Sequence, residues 1–162
     1  MGWTRFNYLY EIYRRVETMN VLIIYKSYHR MNTEKVAKAI TETMNATLRK
    51  VEDVKPEDLS GYDLIGFGSG IYGGKHHQAL FTLVENLPQM EKNVFIFSTS
   101  GSPMEKYDQA LNEKLIGKGC RILGVFRCPG EAGWWIAVKN KGHPDDQDLE
   151  NARVFAKGLM ST

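Results

Sequence analysis

Four short apolar runs punctuate the chain, and between them lie stretches whose apolar residues recur every three or four positions. Val21–Tyr25, Leu64–Gly68, Val94–Phe97 and Ile122–Phe126 are nearly free of polar interruption. Such runs are expected of strands buried on both faces. Leu48 and Val51 mark a weaker strand between the first two runs. Val36, Ala37, Ile40 and Met44 share one helical face, and so do Ala79, Leu80, Leu83, Val84 and Leu87. Tyr107, Ala110, Leu111 and Leu115 repeat the pattern, as do Leu149, Ala152, Phe155, Ala156 and Leu159. Strands alternating with amphipathic helices predict an α/β fold with a parallel sheet covered on both faces. No repeat or inter-domain linker interrupts it. Pro129 to Pro144 is the longest irregular stretch and reads as an ordered loop.

Ligands of open α/β sheets bind beyond the carboxyl ends of the strands. After the first strand, Lys26-Ser27-Tyr28-His29-Arg30-Met31-Asn32-Thr33 leads directly into a helix. Hydroxyls, an amide, free N–H groups and a helix N-terminus suit a phosphate dianion there, and Lys26 and Arg30 add positive charge. A plain helix cap by Asn32 or Thr33 explains the same residues. After the third strand comes Ser69-Gly70-Ile71-Tyr72-Gly73-Gly74-Lys75-His76-His77, whose glycines admit a flat ligand close to bare backbone. After the fourth comes Ser98-Thr99-Ser100-Gly101-Ser102. Three small polar loops at one sheet edge predict a ligand cleft.

Other chemistries fit less well. Gly68-x-Gly70-x-x-Gly73 matches the dinucleotide fingerprint but follows the third strand, and no acidic residue ends the following strand. A phospho-acceptor domain needs an acidic cluster after the first strand, where Tyr25-Lys26 stands. His76-His77 reads as a pair of solvated histidines at the cleft rim rather than a metal site. No Ser-His-Asp or Cys-His arrangement is evident.

Composition narrows the classes further. The 162 residues suit one domain, hydrophobic residues make up 43%, and no apolar run approaches a membrane span. The net charge of +2 argues against a nucleic-acid role. Cys120 and Cys128 are too few for a disulfide scaffold and predict free thiols in a reducing compartment, hence a cytoplasmic protein. Their spacing of eight allows both to face one side of a continuous strand. Residues 1–18 are aromatic-rich and lack a secretory signal; they read either as an N-terminal extension that packs its aromatics on the domain or a partner, or as a stretch upstream of a start at Met19, and carry no assigned chemistry, with the domain spanning 19–162.

The segment from Val21 to Ala37 resembles the opening of a flavodoxin, with its strand, polar loop ending Asn-Thr, and helix. Gly68 to Gly74 is similar to that family's second loop, and Phe97 to Gly101 to its third. The resemblance covers roughly residues 19–160. It implies a flavodoxin-like three-layer α/β/α sandwich with a five-stranded parallel sheet of order 2-1-3-4-5, and it implies FMN as cofactor. Ser27, His29, Met31, Asn32 and Thr33 would then hold the phosphate. Ser69, Gly70, Ile71, Tyr72, Gly73 and Gly74 would contact the ring, with Tyr72 stacking on it. Ser98, Thr99, Ser100 and Gly101 would contact the ring's pyrimidine edge or the ribityl chain. Trp134 or Trp135 would cover the ring or pack beneath the long loop.

The implied function is electron transfer between redox partner proteins. The Gly70–His77 loop also resembles that of menaquinone-dependent protoporphyrinogen oxidases, which leaves open an FMN-dependent oxidoreductase acting on a quinone or another small acceptor. A binding module without flavin is the third reading. Two departures stand out. The first loop is one residue longer than usual, with Arg30-Met31 where glycine is expected. The ring loop also carries Lys75, His76 and His77 and no carboxylate from Ser69 to Gln78. Positive charge there predicts a less negative potential than that of an acidic flavodoxin.

Overall fold

The structure, a computed structural model, describes residues 5–133 and 137–162, and the backbone alone for residues 15–17. Its strands are β1 (Val21–Lys26), β2 (Thr47–Lys50), β3 (Leu64–Tyr72), β4 (Lys75–His76), β5 (Asn93–Ser100) and β6 (Arg121–Pro129). Its helices are α1 (Arg5–Thr18), α2 (Asn32–Met44), α3 (Gln78–Glu85), α4 (Gln109–Gly117) and α5 (Asp146–Met160). The parallel sheet runs β2-β1-β3-β5-β6. That path is the expected order once β4 is set aside. The two-residue β4 was not expected: it turns back on β3 as an antiparallel hairpin, pairing Ile71 with His76 and Tyr72 with Lys75.

Alternate residues of each central strand feed opposite cores, as the pleat requires. Leu22, Ile24, Ile65, Phe67, Val94 and Ile96 pack with Leu80 and Val84 of α3 and Leu111 and Leu115 of α4. Ile23, Tyr25, Phe95, Phe97 and Phe126 pack with Val36 and Ile40 of α2 and Ala152 and Ala156 of α5. Both faces of the central strands are therefore covered.

Gly66 and Gly68 sit directly across from Phe95 and Phe97. A Cβ on Gly66 would come within 2.4 Å of the Phe95 ring, and one on Gly68 within 2.1 Å of the Phe97 ring. Real carbon atoms do not approach so closely, so these two positions need glycine.

The β5–β6 register shifts between Val94 and Phe95, where Ile122 and Gly124 are successive partners. The extra residue, Leu123, reverses the alternation of everything after it. Ile122 and Val125 thus join one core, and Leu123 and Phe126 the other. This corrects the expectation for the cysteines. Cys120 and Cys128 are both free and buried, but they lie on opposite faces of the sheet.

Residues 5–18 form a helix whose Phe6, Tyr8, Leu9, Tyr10 and Tyr13 are exposed. The long loop before α5 is ordered where it is described. Ala132 and Lys139 pair as an isolated bridge, and Asn140 donates to the Gly101 carbonyl at 2.8 Å. Trp134 and Trp135 lie outside the described residues.

Candidate functional site

A cavity of about 520 Å³ opens at the carboxyl ends of β1, β3, β5 and β6. Of the expected site residues, His29, Asn32, Thr33, Gly70, Ile71, Tyr72, Thr99, Ser100 and Gly101 line it. All three polar loops therefore meet at one place. The sequence reading missed part of the wall. Tyr28 comes from the first loop, and Gly130, Glu131, Ala132 and Gly133 from the segment after β6, while Arg30, expected to add positive charge there, lines the wall as well. The position of that segment, just beyond a strand end, was the available signal.

The remaining expected residues stand behind the wall or beside it. The Ser27 hydroxyl accepts from the Glu34 N–H at 3.2 Å and so caps α2 from outside the helix. Met31 is exposed. Ser69 and Ser98 are buried. Gly73 and Gly74, at φ 57° and 78°, form the turn of the β3–β4 hairpin. Their conformation favours glycine, as expected.

The start of α2 is unusual. His29, Arg30 and Met31 all have positive φ, at 48°, 29° and 53°. Each is a non-glycine residue in a left-handed conformation, which costs roughly 1 kcal/mol or more and is concentrated at functional sites. The Met31 N–H donates to the His29 carbonyl. Neither expected cap is made. Asn32 donates instead to the Glu131 carbonyl at 2.9 Å, and the Thr33 hydroxyl pairs with that of Thr99 at 2.8 Å. Gly130 permits this crossing, because a Cβ there would lie 2.9 Å from the Asn32 amide. The first N–H groups of the helix have no partner within it by construction, which makes this end of α2 attractive to an anion.

Charges on the wall pair with each other. Arg30 forms an ion pair with Glu131 and donates to the Gly133 carbonyl at 3.3 Å. Glu131 also accepts from the Gly142 N–H at 3.1 Å. Lys26 does not line the cavity; it pairs with Glu52. On the opposite side, the Tyr72 hydroxyl stands 2.9 Å from where a Gly70 Cβ would be, and its ring meets His77 edge-on at 5.4 Å. Burial raises the Tyr72 phenol above its ordinary range, with a smaller contribution from Tyr28. Ser100, on the wall, has a buried hydroxyl oxygen without a hydrogen-bond partner among the described residues. A buried polar atom of that kind on a cavity wall is open to a ligand atom or an ordered water.

The two histidines are not a solvated pair. His76 is buried, with Nδ1 2.9 Å from the Ser69 hydroxyl and Nε2 2.8 Å from Asp108. Arg127 Nε pairs with the other oxygen of Asp108. His77 caps α3, its Nδ1 accepting from the Ala79 N–H at 3.0 Å. Burial lowers its pKa, and nearby Lys26 adds to the effect. A Ser-His-Asp arrangement therefore exists, contrary to the sequence reading. Ser69 has no exposed surface, so it is no nucleophile for a substrate. Asp108 and Glu131 also bring carboxylates to a region that looked purely basic along the chain.

The family described as Flavodoxin domain matches residues 22–130. The chain belongs to the flavodoxin family. An uncharacterized protein of Methanocaldococcus jannaschii is 43% identical over 148 residues, spanning 88% of this chain and 99% of that one. A flavodoxin-like domain-containing protein of Clostridioides difficile is 26% identical, spanning 88% and 97%. Among solved structures, oxidised flavodoxin 2 from Bacillus cereus superposes with a TM-score of 0.68 at 23% identity, covering 86% of this chain and 97% of its own. The structural likeness agrees with the sheet order.

Proposed function

We propose that this flavodoxin-family protein binds FMN in the cavity and passes electrons between redox partner proteins. The observation that carries this reading is the meeting, in one cavity, of an open helix N-terminus and a Ser100 hydroxyl that has no partner among the described residues. The first suits a phosphate and the second a polar ring or ribityl atom. A volume of about 520 Å³ is in the range of small-molecule sites. In this reading the N-terminus of α2, with Asn32, Thr33 and Arg30, holds the phosphate. Tyr72 and the glycine-bearing β3–β4 turn lie along the ring, and Thr99 to Gly101 meet its polar edge or the ribityl chain. Bound FMN would supply redox chemistry, while the chain binds it, orients it and limits water.

The functional unit is residues 19–162, since every described lining residue falls within it. Among the described residues no helix is long and apolar enough to cross a membrane. The two free thiols support a reducing, cytoplasmic setting.

Purified protein titrated with FMN tests the reading. Saturable quenching of flavin fluorescence with one site per chain is expected, and the absence of binding overturns it. The second reading, an FMN-dependent oxidoreductase acting on a quinone or another small acceptor, rests on the likeness of the Gly70–His77 loop. Turnover of such an acceptor without a partner protein would replace the carrier reading with it.

A further inference from the structure

Exposed apolar side chains gather at the cavity mouth. Among the described residues outside α1, the large hydrophobics that stand exposed are Tyr28, Met31, Tyr72, Met104, Ile116, Val138 and Val154. Ile116 and Val154 sit singly on α4 and α5, which is ordinary for a protein surface. The other five lie at the carboxyl edge of the sheet. Tyr28 and Tyr72 line the cavity and are 58% and 37% exposed. Met31 ends the first loop, Met104 lies in the loop after β5, and Val138 backs onto Gly133 of the wall. Such a grouping marks a contact surface.

The charges beside this group are uneven. Lys75 stands opposite Tyr72 in the β3–β4 hairpin. Lys106 lies over the Tyr107 ring, which packs against Gly74 of the same hairpin. Lys139 pairs through its backbone with Ala132 of the wall, and its Nζ donates to the Ser102 hydroxyl. Lys141 follows Asn140, whose amide donates to the Gly101 carbonyl. All four lysines are exposed, and none forms an ion pair among the described residues. The carboxylates of the same loops are Glu105, Asp108 and Glu131. Asp108 is buried against Arg127, and Glu131 pairs with Arg30. Glu105 is left against four lysines. Beyond these loops, Glu52 pairs with Lys26, and Asp145 and Asp148 face His143.

We infer that this face docks a redox protein that presents an acidic patch. The exposed Tyr and Met side chains make the apolar contact, and the lysines meet carboxylates beside it. Apolar contact flanked by charge is the usual anatomy of a protein interface. Uncompensated lysines draw in an acidic partner, orient it toward the cavity and repel a basic one. The inference names the partner of the carrier reading and rests on that reading for the partner's redox role.

Nuclear magnetic resonance on the full chain without flavin tests it. Three probes are added at low salt: an acidic plant-type ferredoxin, the basic protein cytochrome c, and a uridine homopolymer RNA. Ferredoxin should perturb the amide signals of Tyr28, Tyr72, Lys75, Lys106 and Lys139 saturably, and cytochrome c should not. Raising the salt from about 0.02 M to about 0.2 M should weaken ferredoxin about tenfold, because the charges are screened. Lys75→Glu and Lys139→Glu should each weaken it about threefold at low salt. Lys157→Glu makes the same change of net charge in the last turn of α5 and should weaken it less than twofold. Tyr28→Ala should weaken binding at both salt concentrations, since apolar contact is not screened. No ferredoxin binding, salt-independent binding, cytochrome c on the same residues, or an equal loss in Lys157→Glu overturns the inference. RNA binding this face more tightly than ferredoxin also overturns it and makes the face a nucleic-acid surface. A separate FMN titration decides the flavin reading, whose failure would leave the charge result standing by itself.

Discussion

The hydroxyls of Thr33 and Thr99 lie 2.8 Å apart at the cavity wall, although 66 residues separate them in the chain. Thr33 lies in the first turn of α2 and Thr99 is the second-last residue of β5, so a single buried hydrogen bond ties the first loop to the third. Thr33→Val should cost about 1–3 kcal/mol, because it leaves the Thr99 hydroxyl buried without its partner. Thr33→Val with Thr99→Val should cost less than the sum of the singles. Urea unfolding of the four proteins in this cycle checks the coupling.

Gly68→Ala drives a methyl group into the Phe97 ring at 2.1 Å. Both partners sit in central strands with no room to yield. The expected loss is about 1–3 kcal/mol, toward the upper end, from overpacking. Gly61→Ala meets nothing within 4 Å and is the control. Equal thermal stability of the two variants would refute the close-packing account.

Arg30 and Glu131 pair across the cavity wall, which makes Glu131 a competitor for the cation that a phosphate would seek. Arg30→Gln should weaken FMN about tenfold, the worth of a charge-assisted hydrogen bond, and leave riboflavin unchanged. Glu131→Gln should tighten FMN a few-fold, more at low salt than at high. Parallel titrations with the two flavins read out the phosphate's share directly.

His143 donates from Nδ1 to Asp148 at 2.6 Å, and this hydrogen bond, ahead of the charges of Asp148 and Asp145, raises its pKa. A raised folded-state pKa stabilises the fold fully below the unfolded value, about 6.5. The contribution is lost as pH rises through the folded value. The stability difference between wild type and His143→Gln should therefore be largest in mild acid and shrink above neutrality. Thermal melts across that range check the sign.

Burial pushes the Cys128 thiol up to about 12, with Asp148 and Asp145 adding to the effect, and burial also raises Cys120. Neither forms appreciable thiolate at neutral pH. Alkylation by iodoacetamide should be slow in the native state and fast in urea. Rapid labelling of the native protein would show that one of the thiols is reached by solvent.

The apolar runs and helical stripes alone were enough to predict the alternating α/β architecture, because both signals depend on nearby residues and a fixed period. The three polar loops were legible for the same reason: each follows a strand directly, and parallel strands end at one edge. Other features required the fold. Leu123 looks like any strand residue, yet the register shift beside it sends Cys120 and Cys128 to opposite faces. His76 looks solvated in a run of polar residues, yet the two-residue β4 buries it against Ser69 and Asp108. Glu131 is remote from Arg30 in sequence and pairs with it on the cavity wall. Periodicity reports which face a residue shares with its neighbours. Only the tertiary structure decides which distant charge or hydroxyl stands opposite, because that depends on strand register and loop path rather than on local pattern.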